Sequence, residues 1–221
     1  MLSRIAAALV PAFGRLTVTA DPGVRPDAPG AILVANHTSL ADPAVVVAAL
    51  RRHGIEPVIL ATSGLWRVPL LGSVLRREGH IAVHRGTARA ADSLDAAAVA
   101  LASGRSVLLY GEGRLPVRRD AGETAPGPFR SGLARLAAAT GAPIVPVGQA
   151  GARRLCSGSG AKQLAGVVTA PLRRPCFHVH IGSPLHLPDR VPEATDRARQ
   201  AVTAAWRTAA SALGETVREP A

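Results

Sequence analysis

The stretch Ala31 to Asp42, AILVANHTSLAD, limits the folds open to this chain more than any other segment. Its first half, Ala31-Ile32-Leu33-Val34-Ala35, is an unbroken apolar run with no alternating polar positions. A short run of this kind suits a strand covered on both faces, as in a parallel or mixed sheet packed between helices. Asn36 and His37 follow at the carboxyl end of that strand, where open α/β sheets place their ligands. Asp42-Pro43 then opens a helix expected over Ala44 to Arg52.

The spacing of His37 and Asp42 can be tested against geometry. Five positions along one continuous helix would put them on different sides of the cylinder, at about 100° per residue. They meet only if His37 lies in the turn before the helix. Pro43 suits the first helical position and makes Asp42 the expected N-cap, with one carboxylate oxygen on backbone N–H groups. The other oxygen is then free to accept from an imidazole N–H, fixing its tautomer and stabilising its cation. An imidazole so held takes a proton from an alcohol near neutral pH. His37 and Asp42 are thus a candidate catalytic dyad; the plainer reading of the same spacing is a helix cap and an unrelated turn residue.

The rest of the chain alternates between the two periodicities. Strands are expected at Pro57 to Ala61, Ile81 to His84, Ser106 to Tyr110, Pro143 to Val147 and Cys176 to Ile181. Helices are expected at Pro69 to Arg77, Ala88 to Ser103 and Leu133 to Thr140. Ala198, Val202, Trp206, Ala209 and Leu213 mark one face of a closing helix. Such alternation specifies a single α/β domain with a mixed, largely parallel sheet flanked by helices. Ahead of it, Leu2, Ile5, Leu9 and Phe13 make residues 1–20 an amphipathic N-terminal segment, suited either to a membrane interface or to covering the core; the domain proper is expected over 21–221. The stretch Gly148 to Arg174 carries no clear pattern, and GEGRLPVRRDAGETAPGPFRSG is too long and charged for a simple connector.

No apolar run approaches the roughly 20 residues of a membrane span, and Arg15 interrupts what would be the apolar region of a signal peptide. A formal net charge of +11 predicts attraction to polyanions: nucleic acid, anionic lipid or phosphorylated substrates. With aromatics at only 3%, there are too few for a base-stacking surface, and single-stranded nucleic acid is the less favoured partner. The charge is spread as arginine pairs starting at Arg51, Arg76, Arg118, Arg153 and Arg173. Cys156 and Cys176 make no disulfide framework. Cys176, His178 and His180 fall on one side of a strand, but no second cluster accompanies them, so no metal site is expected; polar residues on a partly exposed strand face are the simpler account.

Three later segments accompany His37: Gly79-His80-Ile81-Ala82-Val83-His84-Arg85; Tyr110-Gly111-Glu112-Gly113-Arg114; and Pro128-Phe129-Arg130-Ser131-Gly132, leading to Ile144-Val145-Pro146-Val147. NHTSLAD resembles the Asn-His-x4-Asp block of the glycerolipid acyltransferases, the family that includes 1-acylglycerol-3-phosphate acyltransferase. GHIAVHR is similar to its second block, YGEGR to its third, and PFRSG with IVPV to the segment after that, in the same order. Gly111 stands where the family usually has proline. The threonine common between the glycine and the arginine is missing, so Arg114 follows Gly113 directly.

The resemblance implies transfer of a fatty acyl group from a thioester, carried by acyl-CoA or acyl-carrier protein, to the free hydroxyl of 1-acylglycerol-3-phosphate, giving phosphatidate, with no cofactor. His37 would take the hydroxyl proton and Asp42 would steady the imidazolium. Asn36, or backbone N–H groups near the helix start, would stabilise the oxyanion. Arg85, Glu112, Gly113 and Arg114 would bind the acceptor: Arg85 through its phosphate, Glu112 by orienting Arg85 or Arg114 or by accepting from a hydroxyl. Arg130 would serve the acceptor or donor phosphates or the packing of its turn. Leu65, Trp66 and Pro69 to Leu71 would line an acyl tunnel or plain core. An amphiphilic substrate further implies work at the cytoplasmic face of the membrane, as a peripheral protein. Two other readings compete: another lysolipid or lyso-aminolipid acceptor, and a non-catalytic basic protein that binds anionic membrane or nucleic acid.

Overall fold

The apolar runs assemble as their alternation with helices requires. The computed structural model describes residues 1–24, 30–86, 91–115 and 122–215. In chain order the elements are α1 (Leu2–Phe13), β1 (Arg15–Ala20), β2 (Ile32–Ala35), α2 (Asp42–Arg52), β3 (Val58–Thr62), α3 (Leu71–Arg77), β4 (Ile81–Val83), α4 (Asp92–Ala102), β5 (Val107–Tyr110), α5 (Gly132–Thr140), β6 (Ile144–Ala150), α6 (Gly160–Arg173), β7 (Cys176–Ile181) and α7 (Val191–Ala212). The described strands form one seven-stranded sheet in the order β1-β7-β6-β2-β5-β3-β4. Every neighbouring pair is parallel except β6 with β7.

Strand pleating divides the core into two layers. Leu33 and Ala35 of β2, with Leu108, Val145 and Val147, face α1 and α2. Ile32 and Val34, with Val107, Leu109 and Ile144, face the buried stripes of α4, α5 and α7. All four residues of β2 are buried, which accounts for its uninterrupted apolar sequence. Helix α7 lies so close to β6 that a Cβ on Gly148 would collide with the backbone of Ala205 and Trp206.

Two elements were not anticipated. β1 is an edge strand in which Leu16 alone is fully buried, too little alternation to stand out in sequence. The expected N-terminal segment therefore divides into α1, which buries Ser3, Ala6 and Val10, and a strand of the common sheet. Helix α6 falls in the stretch that had no readable pattern. The helix expected from Ala88 begins, within the described residues, at Asp92.

His178 and His180 are buried, and not on a partly exposed face as expected. Thr17 and Thr19 of β1 lie beside them in register. Thr17 Oγ1 is 2.7 Å from His178 Nδ1, and Thr19 Oγ1 is 3.0 Å from His178 Nε2 and 2.9 Å from His180 Nδ1. No metal-binding group of three or more ligands occurs among the described residues. Desolvation, then the neighbouring His180, lower the pKa of His178 below that of a free imidazole. A lowered folded-state pKa contributes stability that is present above the unfolded value, about 6.5, and is lost as pH falls from there through the folded one. The urea midpoint should therefore fall between about pH 7.5 and about pH 5.5, and His178→Gln should shrink that difference whatever it costs at the higher pH.

Candidate active site

Three central strands end together. Ala35 is in register with Tyr110 of β5 on one side and Val147 of β6 on the other. The residues just beyond them, Asn36-His37, Gly111-Glu112 and Gly148-Gln149, are thereby brought side by side. By strand parity the His37 side chain faces the α1 and α2 layer, as Leu33 and Ala35 do.

His37 Nδ1 lies 2.9 Å from Asp42 Oδ2, with the imidazole 13% exposed and the carboxylate fully buried. The same oxygen accepts from the backbone N–H of Thr38 (2.5 Å) and Ser39 (2.8 Å). A carboxylate only accepts, so Nδ1 carries the hydrogen and Nε2 is the basic nitrogen. The contact expected from the spacing is present, but its geometry differs. Asp42 is the first residue of α2 and not its N-cap, which is Ala41. Its second oxygen, Oδ1, is buried with no hydrogen-bond partner among the described residues. Burial pushes the Asp42 carboxyl above the usual aspartate range, against the opposing pull of His37, Ser39 and Thr38.

Other expected site residues turn out to hold the turn in place. Asn36 is fully buried, and its amide is committed to one residue: Nδ2 donates to the Gln149 carbonyl (3.0 Å) and Oδ1 accepts from the Gln149 N–H (2.8 Å). One of the two Nδ2 hydrogens and the carbonyl oxygen are thereby spent on holding the turn. The N–H groups of His37, Thr38, Ser39, Ala41 and Asp42 all have acceptors already. Glu112 is buried and accepts the His37 N–H at 3.0 Å; it orients neither Arg85 nor Arg114. Burial raises its pKa, offset in part by the N–H groups of His37 and Gly127. Gly113, with φ of +68°, sits against the Arg130 side chain. Arg114 is exposed and takes no part in the cavity wall, whereas Arg85 and Arg130 do. Gly111 departs from the family's proline because the Phe129 ring fills the space that any Cβ there would occupy.

That cavity, of about 610 Å³, opens beside His37. Its wall is mainly apolar: Leu2, Ile5 and Leu9 of α1, Val47 of α2, Ile59 to Thr62 of β3, Leu71 and Leu75 of α3, and Leu65 between β3 and α3. Trp66, Pro69 and Leu70, expected with them, are not part of it. The Tyr110 ring lies 4.4 Å from the His37 ring, centre to centre. Its hydroxyl is buried without a partner among the described residues, and burial, with the Asp42 charge, holds its pKa well above that of a free phenol.

Sequence reasoning missed the segment behind the dyad. Gln149, fully buried, donates through Nε2 to Thr38 Oγ1 (3.0 Å), and Arg153, 2% exposed, donates through a terminal nitrogen to the Thr38 carbonyl (3.0 Å). Ser39 Oγ donates to the Cys156 carbonyl at 2.8 Å. Farther out, Glu123 accepts from the Gly151 N–H (2.8 Å) and from Trp206 Nε1 (3.3 Å). A glutamine in the apolar context of β6, Ile144 to Ala150, was the available signal. Arginine pairs read as surface charge hid Arg153.

A doubly covered α/β sheet that ends in a carboxylate-held imidazole beside an apolar cavity has the parts that general-base chemistry on an apolar substrate requires. Residues 16–149, more than half of the chain, match the family model described as Acyltransferase, and the chain belongs to that family. The reading as a non-catalytic basic protein gives way to it. The chain is 30% identical over 134 residues to the 1-acyl-sn-glycerol-3-phosphate acyltransferase of Borreliella burgdorferi. That match covers 60% of this chain and 50% of the relative, so the chain aligns with about half of the relative's length. Its fold is similar to the crystal structure of the 1-acyl-sn-glycerophosphate acyltransferase PlsC from Thermotoga maritima. The TM-score is 0.72 at 17% identity, covering 98% of this chain and 80% of that one.

The clamp on Thr38 generates a prediction. Arg153→Met should lower kcat about tenfold or more by letting the His37 turn drift, since small misplacements of a reacting group are costly. Substrate KM values should change little and Arg153→Lys should restore part of the rate, which a merely folding-defective protein would not do.

Proposed function

We propose that this chain is a 1-acylglycerol-3-phosphate O-acyltransferase. It moves a fatty acyl group from a thioester donor, acyl-CoA or acyl-carrier protein, to the free hydroxyl of the lysophospholipid, giving phosphatidate and free thiol. The observation that carries this reading is the 2.9 Å bond from His37 Nδ1 to Asp42 Oδ2, in the wall of an apolar cavity that also carries two arginines. The bond leaves Nε2 to take the acceptor's hydroxyl proton. The oxygen attacks the thioester carbonyl, and collapse of the tetrahedral intermediate expels the thiolate, which recovers the proton from the imidazolium. Asp42 stabilises that cation without leaving its three donors. The apolar walls suit an alkyl chain, and the planar guanidinium of Arg85 suits the acceptor phosphate; Arg130 is the second cation within reach.

An amphiphilic acceptor supports a peripheral place at the cytoplasmic face of a membrane. No described helix is long and apolar enough to cross one, while Ile5 and Leu9 of α1 are exposed. The proposal is tested by thiol release from acyl-CoA and from acyl-carrier protein over a panel of lysolipids. Release should require acceptor, be fastest with 1-acylglycerol-3-phosphate, and fall by about 10²-fold to 10⁴-fold in His37→Ala and Asp42→Asn; unchanged turnover in His37→Ala would refute the mechanism. Arg85→Ala should raise the KM of a phosphorylated acceptor about tenfold or more, the worth of one charged hydrogen bond, with donor KM little changed.

A further inference from the structure

Helix α6 is built the wrong way round for a surface helix of a soluble domain. Such a helix turns its apolar stripe inward and its charges outward. In α6 only Ala170 is fully buried. Leu164, Val168 and Leu172, spaced four apart on one face, are 66%, 67% and 89% exposed. The inward side is small, and Gly166 lies against the Leu155 carbonyl where a Cβ would collide. The helix rests mainly on α1 and not on the sheet.

We infer that α6 is an interfacial helix that lays Leu164, Val168 and Leu172 into the surface of an anionic phospholipid bilayer. Charge selects this occupant. Residues 160 to 174 contain no acidic side chain, and basic ones stand at both ends of the stripe: Lys162 at the start and Arg174 at the finish. Arg173 instead folds back along the inward side of the helix, donating to Thr169 Oγ1 (2.9 Å), the Gly166 carbonyl (2.9 Å) and the Arg154 carbonyl (3.3 Å). An apolar face bounded by cations is the pattern of helices that lie in the headgroup region. A second copy of the chain is disfavoured by the same charges: two antiparallel copies of the stripe would bring Lys162 of each toward Arg174 of the other. The neighbouring α1 carries exposed Ile5 and Leu9, which also line the cavity beside His37, so a lipid layer met by α6 has a path to that cavity. The inference deepens the acyl-transfer reading, on which it rests for its purpose.

The full chain and its Leu164→Gln, Val168→Gln, Leu172→Gln triple variant should be sedimented with vesicles of phosphatidylglycerol and phosphatidylcholine, and with vesicles of phosphatidylcholine alone. The wild type should bind the anionic vesicles, and the triple variant should partition about tenfold or more weakly. Lys162→Gln with Arg174→Gln should weaken binding to anionic vesicles and leave the weak binding to phosphatidylcholine unchanged. Turnover of short-chain, monomeric donor and acceptor should be equal in wild type and triple variant; its absence from both would count against the acyl-transfer reading while the partition result still decides the membrane one. Equal vesicle binding by the two proteins, no binding by the wild type, or a wild-type dimer that the triple variant converts to monomer without loss of vesicle binding would each overturn the inference.

Discussion

One oxygen, Asp42 Oδ2, gathers the Thr38 and Ser39 N–H groups and the His37 imidazole, and the arrangement around the cavity depends on that convergence. A fully buried carboxylate is expensive to charge, and hydrogen bonds of this kind are what make the charge tolerable. The turn must therefore close around the anion: residues 37 to 39 curl back toward the first turn of α2, and the imidazole is drawn into the same shell. Pro43 fits because a residue in the first helical turn has no use for its N–H. Orientation of the histidine and closure of the loop are thus two results of one electrostatic requirement.

The second constraint is sheet order. β2 lies between β5 and β6, so the turn leaving β2 is flanked on both sides by the turns leaving those two strands. Glu112 takes the backbone of His37 from the β5 side; Gln149 and Arg153 take Asn36 and Thr38 from the β6 side. Glu112, like Asp42, is a buried carboxyl spent on backbone N–H groups, so acidic residues in this region serve architecture as well as chemistry. Among the described residues the cationic wall contributions come from Arg85 and Arg130, carried by segments outside that clamp.

The parts legible in the sequence were those governed by local rules. Apolar runs located β2 to β7 to within a few residues, and the five-residue spacing with Pro43 implied a turn that lets His37 reach Asp42. Roles that depend on register were not legible. Asn36 and Gln149 are 113 positions apart, and nothing in either neighbourhood says that one amide will saturate the other's backbone. Glu112 looked like an acceptor contact because its motif sits beside a cavity, yet its carboxylate points at the chain. Arg153 looked like surface charge because burial of a guanidinium is invisible until its carbonyl partner is known. Tyr110 was seen only as part of a motif; its stacking follows from pairing with Ala35.

The antiparallel pairing of β6 with β7, set among otherwise parallel neighbours in the described sheet, has a consequence for how this architecture can vary. A parallel successor to β6 would oblige the intervening chain to cross back over the sheet and pack there. Because β7 instead starts beside the end of β6, with Ala150 opposite His178, the stretch from Gly151 to Pro175 leaves and re-enters at the same rim. Between Cys156 and Pro175 only Ala170 of it is fully buried. Changes there leave the strand ladder undisturbed, so surface behaviour can diversify while Gln149 and Arg153, just upstream, keep their hold on the turn that carries His37.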